Sequence, residues 1–237
     1  MPGARLRGRA GYCRTDVLSA AQSYTTTFSA TENPLSEGGN WASVFQRTNF
    51  QSTGGYAVGK QTGANPPGGV YDDSIMCMSF GTWTDTEIVL IIGKTGSVAS
   101  FCEIEAIIRC NAATGQYYEV NLAWDGAYCN AYLAEGGVAL ANFTPLATET
   151  GGVQYSVAGG VHDGDWFRVR MVGDTITAEI SYNAGGAWTL IATWTDTSNA
   201  GHAAYASGRP GIGAFISDTG AGPMANYKIN SFSAVAI

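Results

Sequence analysis

Trp166-Phe167-Arg168-Val169-Arg170-Met171-Val172 alternates apolar and polar side chains, Gly173-Asp174 breaks the pattern, and Thr175-Ile176-Thr177-Ala178-Glu179-Ile180-Ser181 resumes it. A second break, Asn183-Ala184-Gly185-Gly186, leads into Trp188-Thr189-Leu190-Ile191-Ala192. A helix repeats its apolar positions every three to four residues, whereas strict alternation belongs to a strand with one buried and one wet face. Both breaks carry the Gly, Asp and Asn that tight hairpin turns need. The stretch therefore predicts an antiparallel meander of three strands, 166–172, 175–182 and 188–194.

The same pattern runs outward to both ends. Strands are predicted at 22–29, 70–80, 87–92, 101–111, 117–124, 127–133, 210–216 and 227–235. Ala112-Ala113-Thr114-Gly115-Gln116 closes a hairpin between two of them, and Gly38-Gly39-Asn40, Gly54-Gly55, Gly136-Gly137 and Gly159-Gly160 mark further turns. Helical periodicity, an internal repeat and a long linker are all missing from the sequence. About a dozen strands joined in this way predict an all-β chain, a two-sheet antiparallel jelly-roll β-sandwich.

Composition agrees. A chain of 237 residues buries about 70% of its unfolded surface, enough for a full core without staples. Charged residues make 13%, aromatics 11%, and glycines number 32; these proportions exclude a coiled coil, a helix bundle and a charged disordered chain. The charge is also unevenly laid out. Arg5, Arg7, Arg9 and Arg14 lie in the first fourteen residues, which hold no acid, leaving eight basic against nineteen acidic residues in the rest. Two segments follow: an extended basic arm, residues 1–20, that anchors the chain to a partner, and a sandwich, residues 21–237. An acidic body disfavours nucleic acid, because phosphate contacts come from clustered Lys and Arg. The arm has the charge of a signal peptide without its apolar segment. The longest aliphatic run, Ile88-Val89-Leu90-Ile91-Ile92, is far short of the roughly 20 residues a bilayer needs, so no membrane insertion is expected. Five cysteines, at 13, 77, 102, 110 and 129, are odd in number and widely spaced, which argues for buried thiols over a zinc site or disulfide scaffold.

Asp165-Trp166-Phe167-Arg168-Val169-Arg170, Gly173-Asp174-Thr175-Ile176 and Trp188-Thr189-Leu190-Ile191 together resemble the concanavalin A-like lectin/glucanase superfamily, including laminin-G-like modules. Gly208-Arg209-Pro210-Gly211-Ile212-Gly213-Ala214-Phe215 and Tyr227-Lys228-Ile229-Asn230-Ser231-Phe232-Ser233 resemble its closing strands, and Phe28 with Trp41 its opening hairpin. The resemblance covers about residues 22–237. It implies two curved sheets, one concave and glycan-facing, and it speaks for a fold rather than an activity.

Candidate chemistry is sparse. The glucanase branch carries three carboxylates on one strand; here Glu103-Ile104-Glu105 supplies two. Period-two geometry puts them on one face about 6.6–7 Å apart along the backbone, compatible with the roughly 5–5.5 Å of a retaining glycosidase pair. The third position falls on Ile107 or Ile108, which cannot titrate. The alternative is that Glu103, Glu105 and Arg109 decorate a wet face while Cys102, Ile104, Ala106, Ile108 and Cys110 face the core. His162 and His202 sit in turns with no nucleophile elbow, HExxH helix or phosphate loop to give them partners. Asp163 and Asp165, with Asp218 or Asp72-Asp73, form a candidate structural Ca2+ site; turn-forming Asp is the other reading, and no other cofactor is expected. Tyr117, Tyr118, Trp124, Tyr128 and Tyr132 crowd one hairpin as candidate glycan contacts, with Glu103, Glu105 and Arg109 beside them. Strand aromatics equally serve core packing, and the sequence leaves both readings standing.

The resemblance and the charge layout together lead to a functional expectation. The chain is expected to be a non-enzymatic structural or surface protein of a bacteriophage virion (capsid decoration, fibre or tail component), assembled in the host cytoplasm and displayed outside. Arg5, Arg7, Arg9 and Arg14 would attach it to other virion proteins or to copies of itself, while the sandwich meets glycans. The alternatives are a free-standing, extracellular carbohydrate-binding module, and a glycoside hydrolase or polysaccharide lyase using Glu103 and Glu105.

Overall fold

The computed structural model of the chain describes residues 22–60, 73–96, 102–124, 127–134, 143–146, 155–196, 205–216 and 226–237. The arm with Arg5, Arg7, Arg9 and Arg14 lies outside them, as do Cys13, Asp72, His202 and Asp218. Seventeen strands run through the described residues: β1 (Ser23–Thr26), β2 (Thr31–Glu32), β3 (Trp41–Ser43), β4 (Phe50–Thr53), β5 (Ala57–Gly59), β6 (Ser74–Met78), β7 (Thr86–Lys94), β8 (Cys102–Asn111), β9 (Gln116–Ala123), β10 (Tyr128–Ala134), β11 (Phe143–Pro145), β12 (Tyr155–Ser156), β13 (Trp166–Val172), β14 (Thr175–Ser181), β15 (Thr189–Thr195), β16 (Arg209–Ile216) and β17 (Tyr227–Ala236). No helix occurs among the described residues, so none there is long and apolar enough to cross a membrane.

The strands form two antiparallel sheets packed as a sandwich. The first runs β15-β14-β13-β7-β17-β5-β4-β2, with β1 also on β17; the second runs β11-β10-β9-β8-β16-β6-β3, with β12 also on β10. The meander of residues 166–195 is as expected. Trp166 pairs with Ser181 and Val172 with Thr175, and Ile176 then pairs with Trp194. This register buries Phe167, Val169, Met171, Ile176, Ala178, Ile180 and Trp194. A slip of one residue would turn all of them to solvent. The second sheet supplies Ile104, Ala106, Ile108, Tyr118, Val120, Leu122, Cys129, Ala131, Leu133, Ile212 and Ala214 to the same core. All four described cysteines are buried thiols, none of them in a disulfide among the described residues.

Two sequence expectations need correction. Phe28 and Trp41 do not belong to an opening hairpin: β1 pairs with β17 in the first sheet, and β3 with β6 in the second. Their rings meet inside the core instead, 6.2 Å apart, with Trp41 5.0 Å from Phe232. The second correction concerns β8. Ile107 pairs with Gly211 and Cys110 with Arg209, so Ile108 and Arg109 together oppose Pro210. Proline cannot donate to a ladder and sits at such bulges, and Arg109 takes the bulge conformation at φ 51°. Past it the facing inverts. Cys110 joins Ile107, Cys77 and Tyr117 in a small apolar cluster on the far side of the sheet, rather than continuing the core face of Ile108.

Candidate functional site on the outer face of the second sheet

Alternation fixes what the second sheet shows on the face turned away from the core. On β8 it is Glu103, Glu105 and Ile107; on β9 Tyr117, Glu119, Asn121 and Ala123; on β10 Tyr128, Asn130, Tyr132 and Ala134. The registers arrange these in rows. Gly213, Glu105, Asn121 and Asn130 form one, Gly211, Ile107, Glu119 and Tyr132 the next, and Phe215, Glu103, Ala123 and Tyr128 the third. The face is polar in the middle and flanked by tyrosines.

The carboxylates of Glu103, Glu105 and Glu119 converge there, with an oxygen of each lying within 4.8 Å of the others. All three residues are buried. Asn121 Nδ2 donates to Glu103 Oε1 at 2.7 Å, and Asn121 Oδ1 accepts from the Asn130 amide at 2.9 Å. Asn130 Nδ2 donates to the Tyr132 hydroxyl at 3.1 Å. Arg47 Nε donates to the Tyr117 hydroxyl at 2.9 Å. Among the described residues neither oxygen of Glu105 has a hydrogen-bond partner, and Glu119 Oε2 also lacks one. Burial drives the Glu105 carboxyl well above the usual carboxylate range, and Glu119, Asp73 and Glu103 push it further up against the pull of Arg47. Glu119 is raised in the same way, by burial and then by Asp73 and Glu103. Such an arrangement accommodates protons or a hard cation, and does not leave three free anions.

Solved structures share this two-sheet arrangement. Carbohydrate-binding module CBM66 from Bacillus subtilis superposes with a TM-score of 0.50 at 14% identity, over 76% of this chain and 92% of that one. The exoplasmic/lumenal domain of VIP36, in its Ca2+-bound form, superposes at 0.56 and 10% identity, over 91% and 90%. The fold is that of the concanavalin A-like lectins and glucanases. An engineered GH43 glycoside hydrolase also superposes, at 0.55 and 11% identity, over 93% of this chain and 42% of the enzyme. No protein-family model matches the sequence, and no curated protein is significantly similar to it.

Within this concanavalin A-like frame the expected site residues separate. Tyr117, Tyr128 and Tyr132 stand on the outer face with Glu103 and Glu105. Tyr118 lies one residue out of phase with them and points into the core, where its hydroxyl donates to Asp196 Oδ2 at 2.5 Å. Trp124 packs against the core, 5.5 Å from the Tyr227 ring and under the Lys94 ammonium at 4.3 Å. Arg109 is displaced by its bulge to the end of the sandwich. Its guanidinium donates to the carbonyls of Thr84 (2.8 Å), Tyr205 (3.2 Å) and Gly173 (2.8 Å). The face expected to be wet is buried around its carboxylates, so Glu103 and Glu105 do not decorate open surface.

Asp163 ties its turn to β7, and Asp165 caps the turn itself. Asp163 Oδ1 accepts from the Lys94 amide at 2.8 Å, and Asp165 Oδ2 accepts from the His162 amide at 2.6 Å. Among the described residues the one group of three ligand-type side chains is Glu103, Glu105 and Glu119, and Asp73 lies buried beside it. Glu119 escaped the sequence reading because it sits on the neighbouring strand, sixteen positions from Glu103. The hairpin loop at 112–116 was only a partial signal: counted back from Asn111 and Gln116 it sets Glu119 opposite Ile108, and the bulge between Ile108 and Asn111 shifts the partner to Ile107.

Proposed function

We propose that the protein is a non-enzymatic lectin-like domain that binds glycans at the outer face of its second sheet. The observation that carries this reading is the polar patch of two adjacent rows on that face, half-buried Tyr132 with Glu119 in one and Asn121 with Asn130 in the other, the last three buried. Amide and carboxylate groups read sugar hydroxyls, and tyrosine rings stack on sugar faces. The concanavalin A-like fold, shared with a carbohydrate-binding module and with the VIP36 exoplasmic/lumenal domain solved in a Ca2+/Man-bound form, supports it. The test is a glycan array probed with the full chain, with soluble products assayed on every glycan bound. Binding without cleavage agrees with the proposal; a chain that binds no glycan overturns it.

The polarity of the chain supports a virion-surface setting for this domain, anchored by residues 1–20, with the sandwich outward. Deletion of residues 1–20 then abolishes incorporation into particles and leaves glycan binding intact. Incorporation that survives the deletion refutes the anchor.

One observation favours an enzyme instead. Glu105 is held toward its protonated form two residues from Glu103, as a general acid beside a second carboxylate is. Hydrolysis or elimination by the parent chain that disappears in Glu103→Gln/Glu105→Gln would establish that reading.

A further inference from the structure

We propose that Glu103, Glu105 and Glu119 hold a divalent cation, Ca2+, on the outer face of the second sheet. Three observations lead there, and none depends on glycan binding.

The first is the orphaned carboxylate. Glu105 is fully buried, and among the described residues both its oxygens lack any donor. A buried carboxylate normally accepts several hydrogen bonds or faces a metal. Asn121 does not fill the gap, since its amide is spent between Glu103 Oε1 and the Asn130 amide. It orients the Glu103 carboxylate, as partners of metal ligands do.

The second is the room made for Glu105. A Cβ at Gly213 would fall 2.0 Å from Glu105 Oε2 and 2.9 Å from Glu105 Cβ. Only glycine at that point of β16 leaves the Glu105 carboxylate the space it occupies over the neighbouring strand. The sequence spends a glycine in a central strand, where it weakens the ladder, on seating an acid that no donor receives.

The third is size and hardness. Three atoms within 4.8 Å of one another all lie no more than about 2.8 Å from some common point, so slight closure reaches the 2.3–2.6 Å of Ca2+–oxygen bonds. Mg2+ requires a tighter octahedron and keeps more waters, and Zn2+ prefers nitrogen and sulfur. Two positive charges beside Arg47 also counter the acids that burial and Asp73 otherwise force toward protonation.

The experiment is calcium titration by calorimetry on the chelator-stripped full chain, with thermal unfolding in Ca2+, in Mg2+, in K+ at matched ionic strength, and in chelator. The expected result is one Ca2+ per chain and a Tm about 5–10 °C higher once free Ca2+ reaches about 100-fold its Kd. Glu105→Gln abolishes both, losing more than about tenfold in affinity, while its Tm in chelator is no lower than the parent's. Glu119→Gln reads the same loss should the first variant fail to fold. A Tm indifferent to Ca2+, equal stabilisation by K+, or Ca2+ binding unchanged in both variants overturns the proposal.

Discussion

Replacing Arg109 by Met tests the way the bulge redirects β8. The Arg109 side chain is buried, and its three nitrogens hold the carbonyls of Thr84, Tyr205 and Gly173 at 2.8, 3.2 and 2.8 Å. Asp85 Oδ1 lies 3.5 Å from Nη2. Gly173 is the turn of the β13–β14 hairpin, so one guanidinium ties the two sheets together at the end of the sandwich. A hydrogen bond from a charged donor contributes about 1.5–3 kcal/mol net, which sets an upper bound of several kcal/mol for three. Methionine keeps the apolar stem, removes a charge that is costly to bury, and lets the more accessible carbonyls recover water. The Tyr205 carbonyl, in the buried part of the site, loses this charged donor. The expected net loss is about 3 kcal/mol, or a Tm lower by roughly 6–12 °C for a chain of this length. Arg109→Lys restores one donor group and falls between. Denaturant and thermal unfolding followed by tryptophan fluorescence measure both variants. A loss below about 1 kcal/mol, or a stable variant that no longer binds glycan, would refute the reasoning and return Arg109 to the glycan face.

Gly213→Ala drives a methyl into Glu105 and is expected to cost about 1–3 kcal/mol; Gly213→Ala/Glu105→Ala recovers part of it, and a strictly additive double variant in a denaturation cycle would contradict the contact. In chelator, the raised carboxyls of Glu105 and Glu119 keep protons in the fold that they lose on unfolding. They face Asp73, Glu103 and Arg47. Their contribution is complete below the ordinary value of 4.5 and declines as pH rises toward the folded-state values, by up to about 1.4 kcal/mol per pH unit for each proton. Tm against pH reads this decline, and Glu105→Gln flattens it; identical profiles would dismiss the cluster as the cause. Tyr118→Phe strips the donor from Asp196 and costs about 1–3 kcal/mol with no change in glycan binding, whereas a binding defect without a stability loss would place Tyr118 on the wrong side of the sheet.

The parts legible in the sequence were those governed by long alternation. The meander of 166–195, the β8–β9 hairpin and the closing strands follow from period two and turn residues, and the concanavalin A-like architecture follows from them. Strands of two to four residues, β2 to β5 with β11 and β12, have no room for a period and were missed apart from the aromatic mark of β3 at Trp41. The site was half legible. Alternation places Glu103 and Glu105 together, but it also splits the five aromatics of the β9–β10 hairpin, sending Tyr118 and Trp124 inward. Glu119 needed cross-strand register, and Arg109 needed the bulge that Pro210 announces. Whether an outward face is wet is set by what covers it, and alternation within one strand carries no information about that.

The central claim is that the outer face of the second sheet receives the ligand. Its most direct measurement compares glycan affinity for the parent, for Tyr132→Ala on that face, and for Trp188→Ala on the other sheet, where Trp188 lies under Arg168 at 4.0 Å. Tyr132→Ala is expected to lose about tenfold or more, the scale of an aromatic contact with a ligand, and Trp188→Ala to keep its affinity. The opposite pattern, with Trp188→Ala defective and Tyr132→Ala normal, would contradict it.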